Sequence, residues 1–403
     1  MTRARPAAST DGSRPMKILM ILTYYHPHWT GLTAYARRLA EGLAKSGHSV
    51  TVLTSRHEPH LAREEVIDGV RVVRLPVMGR LSRGVVMPSF PAALWRLTGQ
   101  ADVVQVHTPI LEAPLVTFFG RLRNKPVVLT HHGDLTMPSG FFNKAVERVV
   151  TGLMVRALKQ TTRIVAYSTD YARHSPFLRP FLQKTDAILP PVVIPVPRPE
   201  EAARWKAELG LTGRRLVGFA GRWVEEKGFD FLLKAIPDVL AKAPDAHFVY
   251  AGETKMGYED FFERCAADLE RVRSHVTMLG LVSDPQRLAS FYAMLDVFVL
   301  PSRTDCLALV QPEAMMCGTP VVAADIPGAR VAVRETGMGL TVAPRDPAAL
   351  AAGILTVLGD REKYVRPRAA IEALFHPKRC VAEYEGLLAR LEARSPAGEA
   401  VST

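Results

Sequence analysis

Cysteine is scarce in this 403-residue sequence: Cys265, Cys306, Cys317 and Cys380 are scattered, and none forms a CxxC pair. That spacing excludes a disulfide scaffold and a structural zinc module, and it fits a reducing cytoplasm. Long apolar runs are also lacking. No stretch approaches the roughly 18 consecutive apolar residues of a spanning helix. The short run Ile18–Leu22 is stopped by Tyr24-Tyr25-His26-Pro27-His28, too soon for a signal peptide. Aromatics make up 7% of the chain and do not interleave with its basic residues, which argues against a nucleic-acid stacking module. What is abundant is apolar residue content, at 48%, enough to build large cores and to exclude a disordered chain. The length exceeds what one core usually organises, so two domains are expected.

Positive charge is unevenly placed. Residues 1–190 carry 25 Lys and Arg against 12 Asp and Glu, and residues 191–403 carry 26 against 28. The whole excess of +11 therefore belongs to the first half. A one-sided basic field suits a phosphate-bearing ligand or an anionic membrane surface, while a generally basic solvated surface explains it equally well.

Strand and helix patterns alternate along the chain. Strands are expected at Lys17–Leu22, Ser49–Thr54, Asp102–His107, Pro126–His131 and Arg163–Tyr167, with helices over 32–46, near 110–122 and over 141–160. Leu189–Pro199 holds five prolines and reads as a stiff extended linker. Beyond it the alternation restarts. Strands are expected at Arg215–Ala220, Ala246–Ala251, His275–Leu279, Asp296–Leu300 and Thr319–Ala324, with helices over 228–242, 258–273, 285–294 and 309–317. This order predicts two α/β domains with doubly wound parallel sheets, preceded by a frayed tail over 1–15.

Ligands of such sheets bind beyond the carboxyl ends of the strands, and polar motifs fall there. The first is Gly221-Arg222-Trp223-Val224-Glu225-Glu226-Lys227-Gly228, whose guanidinium, ammonium and following helix start suit a diphosphate. A capped helix with two surface cations is the plainer reading. The second runs from Pro301 to Pro320 and holds Asp305 and Glu313 eight residues apart. Those carboxylates fit either a glycosidase-like pair or acceptors for polyol hydroxyls. The N–H groups near the helix start, at 306–310, suit phosphate oxygens. His131, His132 and Asp134, or His26 and His28, raise a metal site, but no third, well-spaced ligand set supports it. Met315 and Met316 read as core filler, Cys306 and Cys317 as inert thiols, and His107 as a packed residue.

Together, GRWVEEKG and D-x7-E-A-M-x-C-G-T-P-V-V resemble the second half of glycosyltransferase family 4, the retaining, nucleotide-sugar-dependent enzymes of GT-B fold. The first half agrees: His28-Trp-Thr-Gly31 precedes an amphipathic helix and Gly47-His48-Ser-Val-Thr-Val, and Thr130-His131-His132-Gly133 matches the family's T-x-H-G segment. Tyr250–Glu253 and Asp296–Ser302 add to the likeness, which covers roughly residues 16–390. It implies two Rossmann-like domains facing a central cleft. An acceptor domain over 16–190 and a nucleotide-sugar domain over 191–377 would be followed by a helix over 378–393 packing back on the first.

The resemblance also implies roles. Arg222 and Lys227 would hold the donor diphosphate and stabilise charge as it leaves, and Glu313 would accept from the ribose hydroxyls. Asp305 stands where the family has a glutamate that touches the transferred sugar. Gly31 would let its loop approach the donor, His132 would lie beside the anomeric carbon, and Leu309 and Val310 would offer N–H groups to phosphate. Gly280-Leu281 is a weaker candidate for base contacts. No metal and no cofactor beyond the nucleotide-diphosphate sugar is implied.

Some positions depart from the family. Asp305 is one methylene short, Cys306 and Ala308 replace usual glycines, and Thr30 replaces the first glycine of the N-terminal pair. The expected activity is retaining hexosyl transfer to a lipid-linked, glycolipid or other glycan acceptor, in the cytoplasm and at the inner membrane face. A GT-B sugar-nucleotide 2-epimerase and a non-catalytic nucleotide-sugar-binding protein are the alternatives.

Overall fold

Val103–Thr108 (VVQVHT) and Val127–His131 (VVLTH) are buried at every position, as strands covered on both faces must be. They lie at the centre of the first of two units in the computed structural model, which describes residues 14–81, 84–134, 141–256 and 259–392. The tail expected at 1–15 falls mostly outside those residues. Unit 1 comprises residues up to Pro191 together with Pro377 onwards, and unit 2 spans Val192–His376.

In unit 1 the chain runs β1 (Lys17–Ile21), α1 (Gly31–Lys45), β2 (Ser49–Arg56), β3 (Glu64–Ile67) and β4 (Val70–Pro76). A hairpin of β5 (Gly79–Leu81) and β6 (Gly84–Val86) comes next, then α2 (Phe90–Gln100), β7 (Val103–Thr108), α3 (Ala113–Leu122) and β8 (Val127–His131). After these come α4 (Phe141–Gln160), β9 (Arg163–Ala166), α5 (Thr169–His174) and β10 (Thr185–Ala187). The eight-stranded sheet has the order β10-β9-β8-β7-β1-β2-β4-β3, parallel except where β3 runs against β4. Progress from β7 through β8 to β9 moves in one direction, so right-handed crossovers put α3 and α4 on one face. There α2 packs on α3 and α3 on α4. The β1-to-β2 step runs the other way, which puts α1 on the opposite face.

Unit 2 comprises α6 (Pro199–Glu208), β11 (Arg215–Ala220), α7 (Phe229–Lys242), β12 (Ala246–Ala251), α8 (Phe261–Arg264), α9 (Ala266–Arg271) and β13 (Val276–Met278). It continues with α10 (Pro285–Ala293), β14 (Val297–Leu300), α11 (Val310–Met316), β15 (Val321–Ala324), α12 (Ala329–Thr336) and β16 (Gly339–Val342). Its helices α13 (Pro347–Gly359), α14 (Arg361–Tyr364) and α15 (Arg368–Phe375) complete it. The sheet is fully parallel, in the order β13-β12-β11-β14-β15-β16. Phe219, Trp223, Phe229 and Tyr250 fill the core beneath its candidate site, with Trp223 only 1% exposed.

The last helix, α16 (Pro377–Glu392), packs on α1 in unit 1. Buried hydroxyls tie it down: Tyr384 Oη lies 2.7 Å from Tyr35 Oη and 2.9 Å from Thr130 Oγ1. Gln105 Nε2 donates to the same threonine at 3.1 Å.

Three expectations change. The helix expected over 258–273 is split at Cys265, whose N–H is shared between the Phe261 and Phe262 carbonyls, although the buried stripe Phe261, Cys265, Leu269 and Val272 persists. The linker ends at Arg198, because Pro199 suits the first turn of α6. The edge strands β3, β10 and β16 and the β5–β6 hairpin, only three or four residues each, had no sequence expectation, and neither did the longer β4 and α2.

Candidate active site

The β11 strand ends at Ala220, and Tyr250 from β12 fixes the turn beyond it by donating to the Gly221 carbonyl at 2.6 Å and to the Glu253 carbonyl at 3.0 Å. The turn passes Arg222, buries Trp223 and closes as a 3-10 turn over Glu225–Lys227. Gly228 then starts α7 with φ +68°, and a Cβ there would meet the Pro301 carbonyl oxygen at 2.1 Å. No other residue type fits both demands. Arg222 is 43% exposed and lies 3.6 Å from Glu226.

The loop after β14 meets this turn. Lys227 Nζ donates to Asp305 Oδ2 at 2.8 Å, joining residues 78 apart in sequence, and the Asp305 side chain is only 7% exposed. Burial works against the ammonium charge. The Asp305 carboxylate, helped by Glu226, outweighs burial and raises Lys227 above the ordinary lysine value. A residue that sequence reasoning missed, Arg303, bolts the two loops together. Its N–H donates to the Glu226 carbonyl and its Nη1 to the Glu225 carbonyl, each at 2.8 Å. Its fork also grips both Asp230 carboxylate oxygens, at 2.7 and 2.8 Å, and its guanidinium stacks 4.2 Å from the Phe231 ring. The available signal was a basic residue after a strand and an acid in the first turn of a neighbouring helix.

Gly328 supports the same loop from below, since a Cβ there would lie 2.2 Å from the Asp305 carbonyl oxygen. Glu313 sits in the first turn of the short helix α11 and accepts from Tyr292 Oη at 3.1 Å. Leu309 and Val310 form the entry to that helix, where the first N–H groups lack intrahelical acceptors. The structure thus joins Lys227 directly to Asp305 and sets Glu313 eight residues further on, held by Tyr292. Gly280-Leu281 comes just after β13, with Leu281 62% exposed.

In unit 1, Gly31 is the exposed first residue of α1. Thr30 before it is extended and caps the helix: its hydroxyl accepts from Thr33 N at 3.2 Å, while Thr33 Oγ1 accepts from Thr30 N at 2.7 Å. The threonine at that position therefore does a capping job glycine cannot do. His132 comes just after β8 with both ring nitrogens engaged, Nε2 at 2.7 Å from His107 Nδ1 and Nδ1 at 2.5 Å from Tyr167 Oη. Tyr35 packs edge-on against it. Burial, reinforced by His107 and His131, holds His132 well below the ordinary histidine value, and burial pushes fully buried His107 down to about 3. Both rings are neutral at pH 7.

His131 and Asp134 form a pair at 2.9 Å, with Ser175 Oγ donating to the same carboxylate oxygen at 2.8 Å. Among the described residues no group of three or more His, Cys, Asp or Glu side chains is placed to hold a metal ion. Burial raises the Cys306 thiol and pushes Cys317 to about 12, so neither is a thiolate at neutral pH. Met315 and Met316 are buried.

Comparison with known proteins decides the family. Residues 30–181 match the glycosyl transferase 4-like domain model, and residues 214–360 match the glycosyl transferases group 1 model. The chain belongs to the group 1 glycosyltransferases, family 4. It is similar to the phosphatidyl-myo-inositol mannosyltransferase of Mycobacterium tuberculosis, at 27% identity over 87% of this chain and 90% of the relative. It is also similar to the D-inositol 3-phosphate glycosyltransferase of Segniliparus rotundus, at 29% identity over 83% of this chain and 78% of that one. Among solved structures, Anabaena HepE in complex with UDP and glucose aligns with a TM-score of 0.74 at 19% identity, covering 93% of this chain and 100% of that one. The fold is that of the GT-B glycosyltransferases. In this family 4 chain the two units described above are its two Rossmann-like domains, and the GRWVEEKG and D-x7-E segments fall inside the group 1 match. Its Thr130–Gly133 segment falls inside the 4-like match.

Proposed function

We propose that this glycosyltransferase moves a hexosyl group, with retention at the anomeric carbon and without a metal, from a nucleotide-diphosphate sugar to a lipid-linked, glycolipid or other glycan acceptor. The observation that carries the reading is the 2.8 Å contact of Lys227 with Asp305, which brings the two motif segments of unit 2 into one site. In this reading Arg222 and Lys227 hold the diphosphate and offset its growing charge, Glu313 accepts from ribose hydroxyls, and Asp305 reads the transferred sugar. The N–H groups of Leu309 and Val310 add phosphate contacts, and Gly31 leaves room for the donor at the start of the helix that Thr30 caps.

His132 supports a mechanism without a protein base. A neutral imidazole with both nitrogens already engaged is a poor proton acceptor, so its part is to shape the reaction space. The leaving phosphate oxygen then takes the proton of the attacking hydroxyl. The nucleotide sugar is supported by the UDP and glucose bound to HepE, and a lipid acceptor by the name of the mycobacterial relative. No helix among the described residues is long and apolar enough to cross a membrane. We place the protein in the cytoplasm, reaching such an acceptor from the membrane surface.

The test is a panel of nucleotide sugars read by thermal shift, followed by labelled transfer from the stabilising donor to phosphatidylinositol and to soluble glycan acceptors, with and without EDTA. One donor should stabilise the fold and give a product of unchanged anomeric configuration. An inverted product, or activity abolished by EDTA, refutes the mechanism, and the absence of any stabilising nucleotide refutes the site.

A further inference from the structure

The helical layer α2-α3-α4 of unit 1 has an outer surface unlike that of a solvated helix face. On α3 the inward positions are Ala113, Val116, Thr117 and Gly120, all buried against the sheet. The outward side is apolar as well. Leu111, Leu115, Phe118 and Leu122 recur at helical spacing, and Leu111, Phe118 and Leu122 are 38%, 47% and 54% exposed. Trp95 of α2, 40% exposed, continues this ridge by meeting Phe119 edge-on at 5.4 Å. An apolar ridge presented to water on a helix already packed on its other side calls for an apolar partner.

Charge says which partner. Neither α2 nor α3 contains an acidic residue. Arg96 and Arg121 are exposed beside the ridge, and the Arg123 guanidinium lies 3.6 Å over the Trp95 ring. On α4, which packs against α3, the exposed positions Arg148, Gly152, Arg156 and Lys159 recur at helical spacing and add three cations to the same side, with exposed Val149 among them. Aromatic and aliphatic tips flanked by arginines match the boundary of an anionic bilayer, where rings sit among headgroups and guanidinium groups meet lipid phosphates.

We propose that the α2–α3–α4 face is a docking surface for an anionic lipid bilayer, with Trp95, Phe118 and Leu122 entering the interface and Arg96, Arg121, Arg148, Arg156 and Lys159 binding phosphate headgroups. Its purpose rests on the lipid-linked acceptor reading, but the surface is tested without any transfer reaction. Docking through this face leaves the other side of the sheet, with α1 and α16, turned from the lipid.

The experiment is flotation of the full chain with vesicles of phosphatidylcholine containing about one-third phosphatidylglycerol, compared with phosphatidylcholine alone. Binding should require the anionic lipid and fall steeply between 50 and 500 mM salt, by about an order of magnitude or more. Phe118→Ser with Leu122→Ser should weaken partitioning about tenfold or more. Arg148→Gln with Arg156→Gln should weaken it about 30-fold, and both pairs lie on exposed positions that the fold does not need. In a Trp29→Phe background, which removes the other exposed tryptophan, lipids brominated on the upper acyl chain should quench Trp95. Failure to float at low salt, unchanged flotation of both double variants, or an unquenched Trp95 overturns the proposal. So does a wild-type dimer, seen by sedimentation, that Phe118→Ser with Leu122→Ser dissolves, because a second copy would then cover the ridge. Donor hydrolysis measured without vesicles on the same samples separates this outcome from a failure of the glycosyltransferase reading.

Discussion

Replacing Lys227 with alanine strands the Asp305 carboxylate. That side chain is 7% exposed, and Ser302 Oγ, at 3.5 Å, is too distant to take the place of the ammonium. Removing one partner of a buried ion pair typically costs about 3–5 kcal/mol. Here the lysine side is 19% exposed, so water entering the space left behind offsets part of that, and about 2–3 kcal/mol is the expected loss. Asp305→Asn alone should cost less, about 1–2 kcal/mol, because the freed ammonium has a long stem with which to reach solvent.

The two changes together should cost clearly less than their sum, with about 1–2 kcal/mol of coupling, since a neutral amide needs no counter-charge. Activity should behave differently. Lys227→Ala should lower transfer about 100-fold or more, and the double variant should regain stability without regaining turnover. Urea denaturation of all four proteins, with donor turnover on the same samples, gives the cycle. Stabilities that add to within about 0.5 kcal/mol would show that the pair carries no coupling, and turnover restored along with stability would remove Lys227 from phosphate binding. The pH sign comes from the raised Lys227 value. The contribution of the pair is full below the unfolded lysine pKa of about 10.4 and fades as pH rises through the higher folded value.

Other residues give sharper contrasts. Arg303→Lys should fail to replace Arg303, losing about 2–3 kcal/mol and weakening nucleotide binding, because one ammonium cannot span both Asp230 oxygens and the Glu225 carbonyl; calorimetry on both proteins checks it. Asp305→Glu should shift the preferred donor sugar, whereas Glu313→Ala should weaken every donor alike, as competition with the free nucleotide would reveal. Because His107 is pushed down to about 3 by burial, the unfolded chain takes up its proton first on acidification. Stability should therefore drop between about pH 6.5 and 3, with a shallower slope in His107→Asn, whose amide stands in for Nδ1. Tyr384→Phe removes one oxygen from the Tyr35–Tyr384–Thr130 chain and should cost about 1–2 kcal/mol in thermal unfolding without altering donor affinity.

The elements legible in the sequence were those whose residues are uniform in burial. Strands such as Arg215–Ala220 and Ala246–Ala251 are apolar runs bounded by polar turns, and α1 and α7 repeat apolar residues at helical spacing. Glu64–Ile67 gave no such signal: a four-residue edge strand alternates half-buried and exposed positions and exists because β4 offers it a partner. The site divides the same way. Lys227 and Asp305 were legible as motif members, but not as a pair. Their contact depends on Gly228 and Gly328 letting two loops approach, which no spacing within either motif encodes. Arg303 was hidden for the same reason, as its partners Glu225, Glu226 and Asp230 lie on another βα unit.

The departures of this chain from the family pattern make physical sense as a set. Among the described residues the non-glycine positions with positive φ are Asp68, Asn124 and Arg345, so neither Cys306 nor Ala308 occupies a conformation that needed glycine. Exchanging glycine for a side chain at such positions removes unfolded-state freedom, about 0.4–1 kcal/mol each, and narrows what the loop samples when folded. Ala308 is buried, Gly328 holds the carbonyls of Asp305 and Cys306 from beneath, and Arg303 anchors the loop to the turn before α7. Within so constrained a loop a shorter carboxylate still reaches Lys227 at 2.8 Å. Decay would leave the cation unpaired or the loop slack, and this loop is neither. We infer that the substitutions narrow the donor site around one class of sugar, with the stiffness of the loop converting one missing methylene into selectivity.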